Sequence, residues 1–445
     1  MMNAQNAPST ARPAFPALAD VTRLRSEFQR VKTEQNLRDR DAAAALGVSE
    51  GETVAAFVGE HVVRLRPEFV EIVEALPALG RVMALTRNNA AVHEKDGQYE
   101  KLSHQGTIGL GLGKDLDLRI FYHQWAYGYA VETPTENGPR RSLQFFDKTG
   151  TAVHKMFLRD HSDVAAFEAL VARFRADDQT PGQHVVAADA PEAETPDADI
   201  DVDAFQRDWL AMTDTHQFFD MLKRHGVSRA QALRLAPAGH AQRVSATAVR
   251  TLLEDAAGTD LPIMVFVGNG GMIQIHTGPV KNIRMMGPWV NILDPGFNLH
   301  LREDLVDTAW IVRKPTADGI VSSLELLDAS GMVIAMFFGE RKPGQAERED
   351  WRATLVRVEG SQGVVEIPSC PSSDCDVVRP IRLSCLQNAE TQMHKLTHCS
   401  AEYRHGGFAT RCQAFTQCLD VGVIAFSDDG RHVESCPYLG RPGLR

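Results

Sequence analysis

The sequence predicts an α+β protein in which one domain is written twice. Three observations carry that prediction. Helix-spaced apolar residues near Leu24–Lys32 and Leu37–Leu46 give way, between Arg81 and Arg159, to a period close to 2. An acidic stretch rich in Pro and Ala interrupts the chain after about residue 175. Beyond it, the same succession of helical and alternating patterns begins again.

Shifting the second half by about 181 residues aligns Met83 with Met264, Asn88 with Asn269, and Gly97 with Gly278. The same shift aligns Tyr129 with Trp310, Ser142-Leu143 with Ser323-Leu324, Asp147 with Asp328, Gly150 with Gly331 and Phe157 with Phe338. Arg119 meets Arg302 at a shift of 183, and Leu46–Ser49 meets His225–Ser228 at 179. So long a period means a duplicated domain rather than a solenoid.

The elements follow in order. Residues 1–20, rich in Ala, Pro, Asn and Ser, are expected to be disordered. The first copy spans 21–175. The run Ala42 to Ala45 favours a helix, and Leu116–Phe121 and Leu143–Phe146 read as antiparallel strands between Gly and Asn turns. A helix from about Val164 to Arg175 closes the copy. Residues 176–200 read as a solvated acidic linker and 201–357 as the second copy. The tail, 358–445, has weak periodicity and is expected to be poorly ordered. It holds all seven cysteines, the closest pairs being Cys370/Cys375 and Cys412/Cys418. A zinc or redox role there is the alternative to an incidental extension.

With 43% hydrophobic and 24% charged residues, the 445-residue chain has an ordinary globular composition with room for a sizeable core. Its net charge of −11 argues against nucleic acid as a default partner. The N-terminus lacks the basic and apolar regions of a signal peptide, and no apolar run is long enough to span a membrane. A cytoplasmic protein without membrane insertion is expected.

One short stretch stands out chemically. Met212–His225 reads as a helix with Asp214 and Thr215 as N-cap candidates, Gly226 as the C′ residue, and Lys223, Arg224 and His225 in the last turn. His216 then falls in the first turn, where the positive helix end disfavours imidazolium and leaves a lone pair for a metal. At a shift of 179 its counterpart in the first copy is Leu37. A histidine present in one copy only fits a single site built on a duplicated frame.

Other motifs have bland readings. Gly109–Asp115 lacks the spacing and hydroxyl of a phosphate loop and reads as a glycine-rich strand or turn. Asn269-Gly270 reads as a hairpin turn with positive φ. His276 and His300, on alternating strands, read as core hydrogen-bonders, with metal ligation the alternative. Zinc-protease and serine-hydrolase motifs are absent from the sequence.

Several longer motifs carry a family resemblance. In the second copy they are residues 213–219 (TDTHQFF), 287–304 (GPWVNILDPGFNLHLRED), 312–319 (VRKPTADG) and 338–345 (FGERKPGQ). The first copy adds 85–88 (LTRN), 92–95 (VHEK) and 116–121 (LDLRIF). Over about residues 20–357 the chain closely resembles the HemS/HmuS/ChuS haemin-degrading or haemin-transport proteins. The resemblance implies two similar halves, each with helices and a large antiparallel sheet, and one haem b (iron protoporphyrin IX) in the cleft between them.

It also implies roles. His216 matches the axial ligand, and Arg229, Lys314 and Arg341 match cations lining the pocket. Met264 and Phe266 match apolar wall residues, while Arg119 and Phe121 match distal residues from the first half. The chain departs from some members at Ala335, where they have Tyr, and at Met336, which replaces a polar neighbour. Arg and Lys suit the two propionates, and a neutral imidazole on one side leaves the opposite iron position open. Arg119 is then the candidate catalytic residue, steering an oxidant onto the macrocycle.

The expected function is a haem-binding protein of bacterial haem-iron acquisition that opens the ring to release iron. The alternative is a carrier or storage protein that hands haem to a separate haem oxygenase. Expected partners are haem, an electron donor, and the cytoplasmic side of a haem ABC importer. A nucleic-acid-binding stress protein is disfavoured by the acidic balance.

Overall fold

The computed structural model describes residues 18–360, apart from 137, 190–192 and 343, together with the backbone of 401–405 and 408–412. The expectations for residues 1–17, and those for the side chains of all the tail cysteines, fall outside the described residues. The chain divides into one compact unit up to Ser361 and a second from Gln362. In the second, the backbone of Ala401–His405 pairs antiparallel with that of Phe408–Cys412.

The first copy opens with helices α1 (Leu18–Glu34), α2 (Asp39–Ala45) and α3 (Glu50–Ala55), then strand β1 (Val62–Leu65) and α4 (Phe69–Ala75). Helix α3 starts with a capping box, in which Ser49 and Glu52 satisfy each other's backbone N–H groups. Eight strands follow: β2 (Val82–Arg87), β3 (Ala91–Gly97), β4 (Leu102–Gln105), β5 (Ile108–Leu112), β6 (Asp117–Phe121), β7 (Tyr127–Thr133), β8 (Arg140–Phe146) and β9 (Ala152–Leu158). Helix α5 (Val164–Phe174) closes the copy.

The second copy repeats this order with α6 (Val202–Leu210), α7 (Gln217–His225), α8 (Arg229–Arg234), β10 (Ala241–Val244) and α9 (Ala248–Thr259). Its strands are β11 (Ile263–Gly268), β12 (Met272–Gly278), β13 (Ile283–Met286), β14 (Trp289–Asp294), β15 (Phe297–Arg302), β16 (Thr308–Thr316), β17 (Gly319–Leu327) and β18 (Val333–Gly339). Helix α10 (Glu349–Gly360) ends it. The glycine-rich stretch is strand β5, where a Cβ on Gly109 would stand 2.7 Å from the Tyr122 ring.

The strands form two nine-stranded antiparallel sheets. In the first the order is β1-β7-β8-β9-β2-β3-β15-β14-β13, and in the second β10-β16-β17-β18-β11-β12-β6-β5-β4. Each copy therefore sends three consecutive strands into the sheet of the other. The junctions are β3 with β15, where His93 faces Leu299, and β6 with β12, where Arg119 faces Ile273.

Two asparagines fasten the exchange. Asn88 donates to Gly268 O (3.0 Å) and Ile334 O (2.8 Å), and Asn269 donates to Arg87 O (2.9 Å) and Val153 O (2.8 Å). Asn269-Gly270 does lie in a hairpin turn, but neither residue has positive φ. The turn is three residues long: Asn269 N–H donates to Met272 O at 2.9 Å, and the Asn269 side-chain Oδ1 accepts from Gly271 N–H at 3.0 Å.

Alternation separates the two faces of the second sheet. Ile263, Val265 and Val267 of β11 point into the buried core, while Met264 and Phe266 point to the other, half-buried face. Helices α6 to α8 cover part of that second face, packing Phe205, Trp209 and Phe218 against Val312 of β16. The first part of the interrupting stretch is tied down: Arg64 donates to Thr180 O (2.8 Å) and Gly182 O (2.6 Å), and Tyr127 donates to His184 O (3.0 Å).

Candidate functional site

The stretch around His216 departs from its expected form in one respect. Helix α7 begins at Gln217, so His216 occupies the N-cap position rather than the first turn, and it makes no side-chain cap. Gly226 ends the helix at φ +62°, as its placement predicts. Asp214 is not the cap either. Its Oδ1 accepts from His216 N–H at 2.8 Å and from His216 Nδ1 at 2.6 Å. These bonds, the backbone one foremost, hold the Asp214 carboxyl below its ordinary range, with a contribution from the Arg341 charge.

That pairing decides the tautomer of the neutral ring. A carboxylate only accepts, so Nδ1 is the donor to Asp214, and the lone pair of a neutral imidazole lies on Nε2. The His216 side chain is 90% exposed, and among the described residues its Nε2 takes no hydrogen-bond partner. An imidazole aimed by a carboxylate through its other nitrogen is the usual arrangement of a metal-ligating histidine. The loop itself is held by Ala317 N–H donating to Thr213 O (2.8 Å) and by Gln217 Oε1 accepting from Thr213 N–H (2.8 Å).

Two residues beyond His216, Phe218 seats the helix on a buried charge cluster. Lys314 Nζ lies 4.2 Å from its ring centroid and the Arg229 guanidinium 5.1 Å. Both cations converge on Glu325, at 2.7 Å each. Burial would raise the Glu325 carboxyl, but the Lys314 and Arg229 charges overcome it and hold it at about 2. Burial lowers the Lys314 ammonium, with Glu325 opposing. Two of the three predicted pocket cations, Arg229 and Lys314, are therefore brought together on a carboxylate with no marked motif in the sequence. Arg229 keeps the more accessible side chain of the pair.

Beside this cluster runs a half-buried apolar strip. Met264 and Phe266 of β11 stand beside Phe338 and Met336 of β18, paired Met264 with Phe338 and Phe266 with Met336. The Phe266 and Phe338 rings lie 5.0 Å apart, and Arg229 Nη1 reaches Met336 Sδ at 4.0 Å. Ala335 is fully buried on the opposite face of β18, so a tyrosine there would enter the core rather than meet the strip. The departure that bears on this face is Met336.

Arg119 and Phe121 extend the same face at β6, the strand contributed by the first copy. Arg119 is paired with Asp117 and lies five strand positions from Lys314, roughly 24 Å at about 4.8 Å per strand. It borders the strip on the side away from α7. Arg341 follows β18 and donates to Gln345 O at 3.3 Å, with Asp318 3.7 Å away.

His276 and His300 belong elsewhere. His276 is buried, stacks on Phe297 at 3.8 Å and meets Lys95 Nζ at 2.6 Å; His300 Nδ1 bonds Asn291 Oδ1 at 2.7 Å. Among the described residues no group of three or more His, Cys, Asp or Glu is arranged to hold a metal ion. A metal at His216 would therefore have to arrive with most of its ligands.

The fold and this face define a duplicated α+β protein in which the exposed His216 imidazole heads an apolar strip flanked by cations. Residues 47–174 and 226–357 each match the model of the haemin-degrading HemS.ChuX domain, and the chain belongs to that family. His216 falls between the two matched stretches. The hemin transport protein HmuS of Yersinia pestis is 40% identical over 321 residues, covering 72% of this chain and 92% of HmuS. Holo-PhuS, a heme-binding protein from Pseudomonas aeruginosa, superposes with TM-score 0.74 at 47% identity, covering 75% and 97% of the two chains. ChuS, described as an E. coli heme oxygenase, gives 0.68 at 37%, covering 75% and 99%.

Proposed function

We propose that this protein binds one haem b on the strip beside His216, as part of bacterial haem-iron acquisition in the cytoplasm. The observation that carries the reading is His216 itself: exposed, held by Asp214 through Nδ1, and offering Nε2 at the head of an apolar face. Met264, Phe266, Met336 and Phe338 suit the flat ring, and Arg229, Lys314 and Arg341 suit two propionates. The porphyrin supplies the remaining ligands that an isolated metal would lack. Among the described residues no helix is long and apolar enough to cross a membrane.

Haem is here the substrate. The protein orients it, excludes water from one ring face, and places the Arg119 guanidinium as a hydrogen-bond donor for an oxidant on the side away from His216. Ring opening would then release the iron, with dioxygen and electrons from an outside donor, or peroxide, supplying the oxidant. A second reading is a carrier that collects haem from an importer and delivers it to a separate oxygenase. It is favoured by the exposure of His216, which leaves the ligand accessible to a receiving partner.

Haemin titration should give a Soret band whose position and affinity change in His216→Ala; an unchanged titration would remove His216 as the ligand. Product analysis with a reductase in the presence of catalase separates the two readings. Tetrapyrrole cleavage that survives catalase supports the enzyme, and cleavage that vanishes with peroxide supports the carrier.

A further inference from the structure

The first copy has a counterpart to the His216 face, and its chemistry is different. Leu37 stands where the second copy has His216, Glu50 where it has Arg229, and Lys155 where it has Met336. Arg87 and Lys155 both bond Glu50, so charge stands where the second copy has Met336, while Met83 and Phe157 keep the places of Met264 and Phe338 apolar. Above this cluster is a cavity of about 500 Å³, within the range of small-molecule sites. Five cations line it (Lys32, Arg38, Arg40, Arg87 and Arg140), against two acids, Asp39 and Glu50.

The acids are already committed. Glu50 is held by Arg87 and Lys155, and Asp39 pairs with Lys32 at 2.5 Å. Arg40 donates to neutral oxygens, Asn88 O at 3.2 Å and Asn89 Oδ1 at 2.8 Å. Among the described residues neither Arg38 nor Arg140 has a carboxylate within ion-pair distance; Arg140 lies over the Phe157 ring at 5.4 Å. Burial, and then the charge of Arg87, push Arg40 below its ordinary range. Three guanidinium groups without carboxylate partners thus face one cavity in a chain of net charge −11.

We propose that this cavity is an anion site separate from the His216 face, taking a small, multiply charged oxyanion held by Arg38, Arg40 and Arg140. Planar guanidinium forks match phosphate and carboxylate oxygens two at a time. With Leu37 in the histidine position, the cavity offers no metal ligand there. The ligand is therefore a phosphate-bearing or polycarboxylate metabolite rather than a second porphyrin.

Calorimetric titration of the full chain at low salt, with inorganic pyrophosphate and separately with citrate, tests this. Saturable binding of one anion per chain is expected, weakened at least tenfold in the Arg38→Gln/Arg140→Gln double variant. Haemin titration of that variant should match the unaltered chain, showing that it is folded and that the sites are distinct. Pyrophosphate binding alone assigns a phosphate ligand, and citrate binding alone a polycarboxylate. No saturable binding of either anion overturns the proposal. So does affinity within twofold in the double variant, or displacement of the anion by one equivalent of haemin.

Discussion

A histidine at 90% exposure contributes little to a core, so the orientation of His216 has to come from Asp214. If Asp214 orients a ligand, Asp214→Asn should weaken haemin binding about 10- to 100-fold, read from the Soret titration. A change under threefold would mean that Asp214 only shapes the turn. The second residue-scale expectation concerns Glu325. Glu325→Gln leaves Lys314 buried without its carboxylate and should cost about 3–5 kcal/mol in urea denaturation. His216 was legible in the sequence because the duplication supplied Leu37 as an internal control. Asp214 was not, since a cap and an orienting carboxylate occupy the same place before a helix. Ala335 faces the core although it adjoins Met336, because strand phase, not proximity in sequence, decides what meets the strip.

At the scale of elements, the exchange of three strands makes neither copy complete alone. Without its partner, a copy loses the strands that pair β3 or β12 and exposes long unpaired edges. Residues 201–357 produced alone should therefore take the missing strands from a second copy of themselves and run as a homodimer in light scattering. A folded monomer at micromolar concentration would contradict this. Each crossing asparagine joins the sheets through two carbonyls, so Asn88→Ala and Asn269→Ala should each destabilise by about 1–3 kcal/mol. Local patterning revealed β6 and β8 as antiparallel strands. It could not reveal that β6 pairs with β12, because partner choice between two similar sheets depends on contacts remote in sequence.

Over the whole molecule, the seam between the sheets carries histidines that must stay neutral. His154 Nδ1 donates to Thr86 Oγ1 (3.0 Å), its Nε2 accepts from Tyr99 O–H (2.6 Å), and Thr86 donates to Gln274 Oε1 (2.8 Å). Burial pushes His154 down to about 3, and burial with the Lys95 charge does the same to His276. His93 is lowered too, by burial first. The unfolded chain takes up these protons near pH 6.5, before the folded chain does, so stability falls as pH drops from about 6.5 towards 3. His154 and His276 each contribute about 1.4 kcal/mol per pH unit within that window, and His93 acts in the same direction. His154→Gln should flatten the dependence by about one such increment in denaturation series between pH 6 and 4; an unchanged slope would place the acid sensitivity elsewhere.

The sequence alone determined the duplication, the α+β class, the family and that His216 has leucine for its counterpart in the first copy. These are properties of local pattern and internal comparison, and a linear text preserves both. Tertiary structure decided which copy's strands complete which sheet, that Glu325 gathers Lys314 and Arg229, and that β6 carries Arg119 to the His216 face. Each of these depends on which face of a strand is buried against which neighbour. That is settled only when both copies close their sheet edges together.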